Sequence, residues 1–258
     1  MPGPAAPPTV LGVSLKMYFG HHETLNWCRR IADTAGRHPA LASGKARLFV
    51  LPAFPAIVPA AGILTPYGIA VGAQDIATED SGAFTGEVGG PSLREIGCRY
   101  AEVGHAERRR LYGEGDTFVA AKAAAALRNG LTPVLCVGER DRTDPDEAAA
   151  RTVAEAGRLL TGLTGAVILA YEPQWAIGAP RPASTEHIAT VCTALRDWLA
   201  GRPEHAGSHV IYGGSAGPGL LSGLDGAADG LFLGRFAHDP AQVETILDEI
   251  QQPRTAVA

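Results

Sequence analysis

The chain has 258 residues, of which 46% are hydrophobic and 19% charged, and its formal net charge is -5. That is ample for a full core, and a barrel of this size is routinely one domain. The acidic balance and the lack of a long basic run argue against a nucleic-acid partner, and no run of about 18 apolar residues is present to cross a membrane.

Met1 to Pro8 is proline-rich and lacks the basic start and apolar centre of a signal peptide, so residues 1–8 are expected to form a flexible tail. The folded domain is expected over residues 9–252, with a second tail over 253–258. Cys28, Cys98, Cys136 and Cys192 are scattered and form no Cys-x-x-Cys pair. Neither a zinc site nor a disulfide framework is indicated, and buried, reduced thiols in a cytoplasmic protein are the simplest account.

Short β-like runs alternate with helical patterns along the whole chain. Val10 to Leu15 is the first apolar run, and helical spacing follows at Leu25, Cys28, Ile31, Ala32 and Ala35. Arg47 to Leu51 is the second strand, closed by Pro52, and a helix is expected from near Pro55. Ile69 to Ala73 and Arg99 to Val103 are the third and fourth strands. A helix including Phe118 to Arg128 ends at Gly130, and Pro133 to Val137 is the fifth strand. Asp144-Pro145-Asp146-Glu147 starts the next helix, with a cap, a first-turn proline and acidic residues at the positive end of the dipole. Val167 to Tyr171, His209 to Tyr212 and Gly230 to Leu233 are the last three strands. Ser184 or Thr185 caps the helix between the first two of these, and Asp239-Pro240 begins the final one.

Eight strand–helix units of roughly 30 residues each fit an eight-stranded parallel (β/α)8 barrel, a TIM barrel in a single α/β domain. A doubly wound open sheet is the other candidate. It usually shows a glycine fingerprint after its first strand, where this chain has Lys16-Met17-Tyr18.

In a barrel of this kind, functional groups gather at the C-terminal ends of the strands. Those ends carry Ser14-Leu15-Lys16, Gly104-His105-Ala106-Glu107, Glu172, Gly213-Gly214-Ser215 and Gly234-Arg235. Each alone has an ordinary structural explanation as a solvated charge, a core histidine or a turn. Together on one rim they suit chemistry. The glycine turns after strands seven and eight suit a phosphate, because backbone N–H groups can approach an anion where no Cβ intervenes. A lysine, a histidine and a glutamate suit proton transfer next to a carbonyl. Glu172 is followed at once by Pro173, and Trp175 and Ile177 are costly to leave in water, so this loop is expected to pack down over the site.

These pieces resemble the triosephosphate isomerase family, in the family's order and across nearly the whole chain. The matching residues are Lys16-Met17, Gly72-Ala73-Gln74, Gly82 to Glu87, Gly104-His105 with Glu107-Arg108-Arg109, Pro133 to Glu139, Ala170 to Gly178 with one change, and Tyr212 to Ser215. The resemblance implies Glu172 as base, His105 as electrophile, Lys16 as electrostatic anchor, and Glu107 as the glutamate beside that lysine. A glutamate base, a neutral histidine and a closing loop are the known pattern of this family. Pro173 to about Ala183, with Trp175 and Ile177, resembles the mobile lid. Gly178, Ser215 and Gly234 fall on phosphate-binding positions, with Gly213, Gly214, Ser14 and Arg235 beside them. The family is typically dimeric, and Gly82 to Glu87, with Phe84 and Thr85, resembles its docking loop, Thr85 reaching toward the neighbour's Lys16. No cofactor and no metal are expected. The implied substrate is a small phosphorylated sugar.

The departures are local. The family usually has Asn at Ser14, Trp at Leu15, Asn at Tyr18 and Ser at Ala106. Gln174 replaces Val, Ala179-Pro180-Arg181 replaces a glycine-containing hinge, and Arg235 replaces the second glycine of its turn. Proline should stiffen the hinge. Arg235 could obstruct the phosphate cradle or add a charged contact. The leading expectation is aldose–ketose isomerisation of dihydroxyacetone phosphate and glyceraldehyde 3-phosphate, as in glycolysis and gluconeogenesis. The alternative is a tetrulose-phosphate (erythrulose phosphate) isomerase of the same family, motivated by Ser14, Ala106 and Arg235. A non-catalytic sugar-phosphate-binding barrel stands third.

Overall fold

The computed structural model describes residues 7–251. The tails expected at residues 1–8 and 253–258 lie outside that range, apart from Pro7 and Pro8. Eight parallel strands form one closed barrel in sequence order: β1 (Thr9–Ser14), β2 (Ala46–Leu51), β3 (Ala70–Ala73), β4 (Tyr100–Val103), β5 (Thr132–Val137), β6 (Ile168–Tyr171), β7 (His209–Tyr212) and β8 (Gly230–Leu233). The ring closes where Val10 to Val13 pair with Gly230 to Leu233. All eight expected strands are present, with boundaries shifted by no more than a residue.

Among the described residues, ten α-helices surround the barrel. The longer ones are α1 (His21–Arg37), α3 (Ile57–Leu64), α6 (Asp116–Arg128), α7 (Pro145–Leu159), α8 (Thr185–Ala200) and α10 (Pro240–Gln251). Their starts follow the expected caps. The Asp144 carboxylate accepts from the Glu147 N–H at 3.1 Å, and Ser184, rather than Thr185, accepts from His187. Four short helices escaped the periodicity: α2 (Pro39–Ala42), α4 (Gly90–Glu95), α5 (Ala106–Tyr112) and α9 (Leu220–Leu224). A helix of two turns or fewer barely completes an apolar stripe, and α5 buries none of its residues.

The apolar interior has two layers. Inside the barrel, Val10, Phe49, Leu51, Val134, Ile168, Ile211 and Phe232 meet at the axis. The Phe49 ring stacks on Tyr100 at 4.4 Å between centroids. This filling needs Gly12, because a Cβ there would lie 2.3 Å from the Phe49 ring. Between barrel and helices a larger layer contains the outward strand residues and the helix faces, including Ile31, Val119, Leu195 and Ile246. The four cysteines are all buried and free. No described helix is long and apolar enough to cross a membrane. The filled interior leaves the C-terminal rim as the place where polar side chains converge.

Candidate active site

A cavity of about 670 Å³ opens at that rim. Ser14, Lys16, His105, Glu107, Glu172, Ile177, Gly178, Gly213, Ser215, Gly234 and Arg235 all line it, so most residues expected from sequence come together. Pro173, Trp175 and Gly214 are not in its wall; Pro173 and Trp175 lie in the loop after β6, and Gly214 in the turn after β7. Phe84 and Thr85 stand elsewhere, exposed on the loop after β3. Arg110 and Phe236, unmarked in the sequence, also line the cavity, and the equally unmarked Glu102 accepts a hydrogen bond from Ser14 in its wall.

Glu172 follows β6 and is buried. Burial pushes its carboxyl up to about 7, against the pull of the Lys16 charge and of the Cys136 thiol beside it. Its Oε2 has no hydrogen-bond partner. A buried carboxylate oxygen left open is costly, and such atoms mark sites where a ligand completes the bonding. Gly213 makes this position possible, since a Cβ there would lie 2.6 Å from Glu172 Oε1.

His105 caps the N-terminus of α5. Its Nδ1 accepts from the Glu107 N–H at 3.1 Å, which puts the ring proton on Nε2. Burial, then the Lys16 charge, hold the imidazole well below its ordinary pKa. The helix dipole acts in the same direction. A neutral ring therefore directs its N–H at the cavity. Nε2 lies 3.7 Å from Glu172 Oε2, too far for a hydrogen bond, which leaves both groups free to meet a substrate between them.

Lys16 adopts a left-handed backbone conformation, φ 50°, which costs a non-glycine residue about 1 kcal/mol or more. Gln74 offsets this by donating to the Lys16 carbonyl at 3.0 Å and to that of Leu51 at 2.8 Å. The ammonium meets Glu107 at 2.8 Å. Burial works against its charge, but Glu107, Glu172 and Glu102 together raise its pKa. For Glu107, burial is likewise the largest single influence, and the Lys16 partnership overrides it and holds the carboxyl low. Helix α5 is itself fixed from below. Arg108 pairs with Asp75 at 2.8 Å and with Glu114 at 2.7 Å, and both acids also hold the buried Lys122.

The loop after β6 lies down over the cavity, as its apolar residues required. At its start, Glu139 accepts from the Trp175 indole at 2.8 Å and from the Tyr171 hydroxyl at 3.1 Å, and His187 closes the cluster. Trp175 thus anchors the lid to the barrel body. At the far end, Tyr212 accepts from the Ala183 N–H at 3.1 Å and donates to the Gly214 carbonyl. In the middle, the Ser215 hydroxyl lies 2.9 Å from the Ala176 carbonyl and 3.0 Å from that of Ala179, and Arg235 donates to the Gly178 carbonyl at 3.1 Å. Arg235 therefore reaches across from the β8 turn to the lid, with its guanidinium in the cavity wall. Lys16, Arg110 and Arg235 make this wall attractive to an anion.

Among the described residues no cluster of His, Cys, Asp and Glu could hold a metal ion. The arrangement can carry out proton transfer with a buried base, a neutral N–H donor and an ammonium beside the developing charge.

The triosephosphate isomerase family model matches residues 9–250. A relative from Pectobacterium atrosepticum named L-erythrulose-1-phosphate isomerase is 55% identical, over 93% of this chain and 94% of its own. One of the same name from Rhizobium etli is 38% identical, over 96% and 93%. A triosephosphate isomerase from Halorhodospira halophila is 42% identical, over 78% and 86%. The chain therefore belongs to the triosephosphate isomerase family, as an isomerase of phosphorylated sugars.

Proposed function

We propose that this isomerase acts on a four-carbon ketose phosphate, L-erythrulose 1-phosphate, the substrate that the sequence carried as its alternative. The observation that carries the reading is the 55% identity, along almost the full length of both chains, to a relative named for that substrate. The cavity wall agrees with it. Ser14 and Ala106 are shorter than the residues the family usually places there, and both line the cavity beside His105.

The chemistry follows from the structure of that sugar. Its carbonyl is at C2, its phosphate on C1 and its hydroxyls on C3 and C4. C1 carries no free hydroxyl, so an enediolate forms across C2 and C3. Glu172 takes the C3 proton, and the electron pair moves onto the C2 oxygen. The His105 Nε2–H donates to the developing oxyanion, and Lys16 supplies positive charge. Return of a proton to C2 and loss of the proton from the C3 hydroxyl leave the carbonyl at C3. The product, renumbered, is a ketose 4-phosphate. This is the triose reaction with one hydroxymethyl group added at the carbon remote from the phosphate.

Arg235, Ser215 and the turn at Gly234 hold the phosphate under the lid in this reading. Homodimerisation belongs to it as well. Phe84 is 45% exposed and Met17 93% exposed, apolar surface that a second copy would cover. Sedimentation of the purified protein should give a dimer.

The test is a comparison of kcat/KM for L-erythrulose 1-phosphate and dihydroxyacetone phosphate. A preference for the tetrulose of about tenfold or more is expected. Equal or better turnover of the triose would return the reading to triose phosphate, the substrate named in the Halorhodospira relative.

A further inference from the structure

One buried acid near the site has no part in that mechanism. Glu102 lies within β4 and is 3% exposed. Ser14 is the last residue of β1 and is 2% exposed. β1 pairs with β2 and β8, not with β4, so these two side chains meet across the barrel rather than along a ladder. The Ser14 hydroxyl donates to Glu102 Oε2 at 2.8 Å. The barrel interior is otherwise apolar, with Leu51, Cys136, Ala170 and Phe232 among its residues. A carboxyl set among these is costly unless it has a use. Burial, then the charge of Glu172, push it up to about 8, and in either protonation state the bare Oε2 is the oxygen that accepts from Ser14.

The hydrogen-bond direction says what this pair can recognise. A serine hydroxyl has one proton and two lone pairs. That proton is engaged in the hydrogen bond to Glu102 Oε2, so Ser14 offers the cavity only lone pairs. Such a group selects an O–H donor and gives nothing to a phosphate or a carbonyl, which are acceptors. The primary hydroxyl at the end of a four-carbon substrate is a donor, and a three-carbon substrate lacks it.

We propose that Ser14, oriented by Glu102, forms the subsite for the terminal hydroxymethyl group of a four-carbon substrate. The proposal rests on the tetrulose reading above. With the phosphate held under the lid by Ser215 and Arg235, the opposite end of the substrate points to the cavity floor, where Ser14 lies. Glu102 is a positioning residue that acts through Ser14.

The test uses the full chain and two ligands. Turnover of L-erythrulose 1-phosphate is measured, with dihydroxyacetone phosphate as a competing three-carbon ligand. Ser14→Ala and Glu102→Leu should each lower kcat/KM for the tetrulose by about tenfold, the worth of one oriented hydrogen bond. The inhibition constant of the three-carbon ligand should move by less than about threefold, since it never makes that bond. The double variant should lose no more than the worse single one, because the pair acts as a unit. Glu102→Gln keeps an acceptor oxygen for Ser14 and should recover most of the loss. Equal losses for both ligands, additive losses, or no recovery with Gln would overturn the subsite. Wild-type protein inactive on the tetrulose would sink the functional reading and the subsite together. Wild-type turnover with unaffected variants would sink the subsite alone.

Discussion

The two ends of the cavity are built from different materials. At the end proposed to react, β1, β4 and β6 bring ionisable side chains together: Lys16, His105, Glu102, Glu107 and Glu172, of which Glu102, His105 and Glu172 are buried. At the end proposed for the phosphate, turns after β7 and β8 offer mostly backbone, one serine and one guanidinium, and the loop after β6 rests on them through Ser215 and Arg235. The reacting end perturbs protonation, because burial and like charges act there together. The phosphate end sets position. The first should therefore govern rate and pH dependence, and the second affinity and closure.

The largest expected effect is at the reacting end. Glu172→Gln removes the proposed base while keeping the shape, and kcat should fall on the order of 10³-fold. A loss smaller than tenfold in steady-state turnover would mean that another group takes the proton. At the phosphate end, Arg235→Ala should raise KM about tenfold and change kcat less, because a phosphate contact is the same in ground and transition states. A fall in kcat at constant KM would instead make Arg235 a lid clamp through Gly178, and would move it from the binding side of the comparison to the rate side.

The smallest effects concern pH. Ionised Glu172 is the working form in the proposed mechanism, so kcat/KM should rise with pH through about 7 in a steady-state profile and level off above it. Stability should run the other way. Glu102 and Glu172 titrate near 8 and 7 in the folded chain but near 4.5 when unfolded. Between pH 4.5 and 8 the native state holds protons that the unfolded chain has lost, so these two groups make the fold more stable as pH falls through that window. Glu102→Gln and Glu172→Gln should each raise Tm at pH 9, on the order of 5 °C, with the gain shrinking toward pH 5. A Tm unchanged at pH 9 would show that water already reaches these carboxylates.

The same contrast explains what could be read from the chain. Strand tips such as Glu172 before Pro173, and glycine turns such as Gly213-Gly214, leave local marks because one strand ends where one group is needed. Glu139 carries no such mark. Its partners Tyr171, Trp175 and His187 come from distant segments, and only the closed barrel joins them. Glu102 was hidden for a different reason. In a short run such as Arg99 to Val103, sequence does not say which face looks into the barrel, and a glutamate there reads as an outward residue. Arg110 sits in a run of three arginines that any solvated helix could carry. The proposed substrate is least legible, since in that reading it turns on a few small side chains around the family's usual Lys16, His105 and Glu172.

The account stands or falls on where the carbonyl moves. Wild-type protein is incubated with L-erythrulose 1-phosphate in deuterium oxide, and the product is read by NMR. The account predicts a ketose with its phosphate on C4 and solvent deuterium on C3, with no product from Glu172→Gln on the same timescale. An aldose product, or the same product formed equally fast by Glu172→Gln, would contradict it.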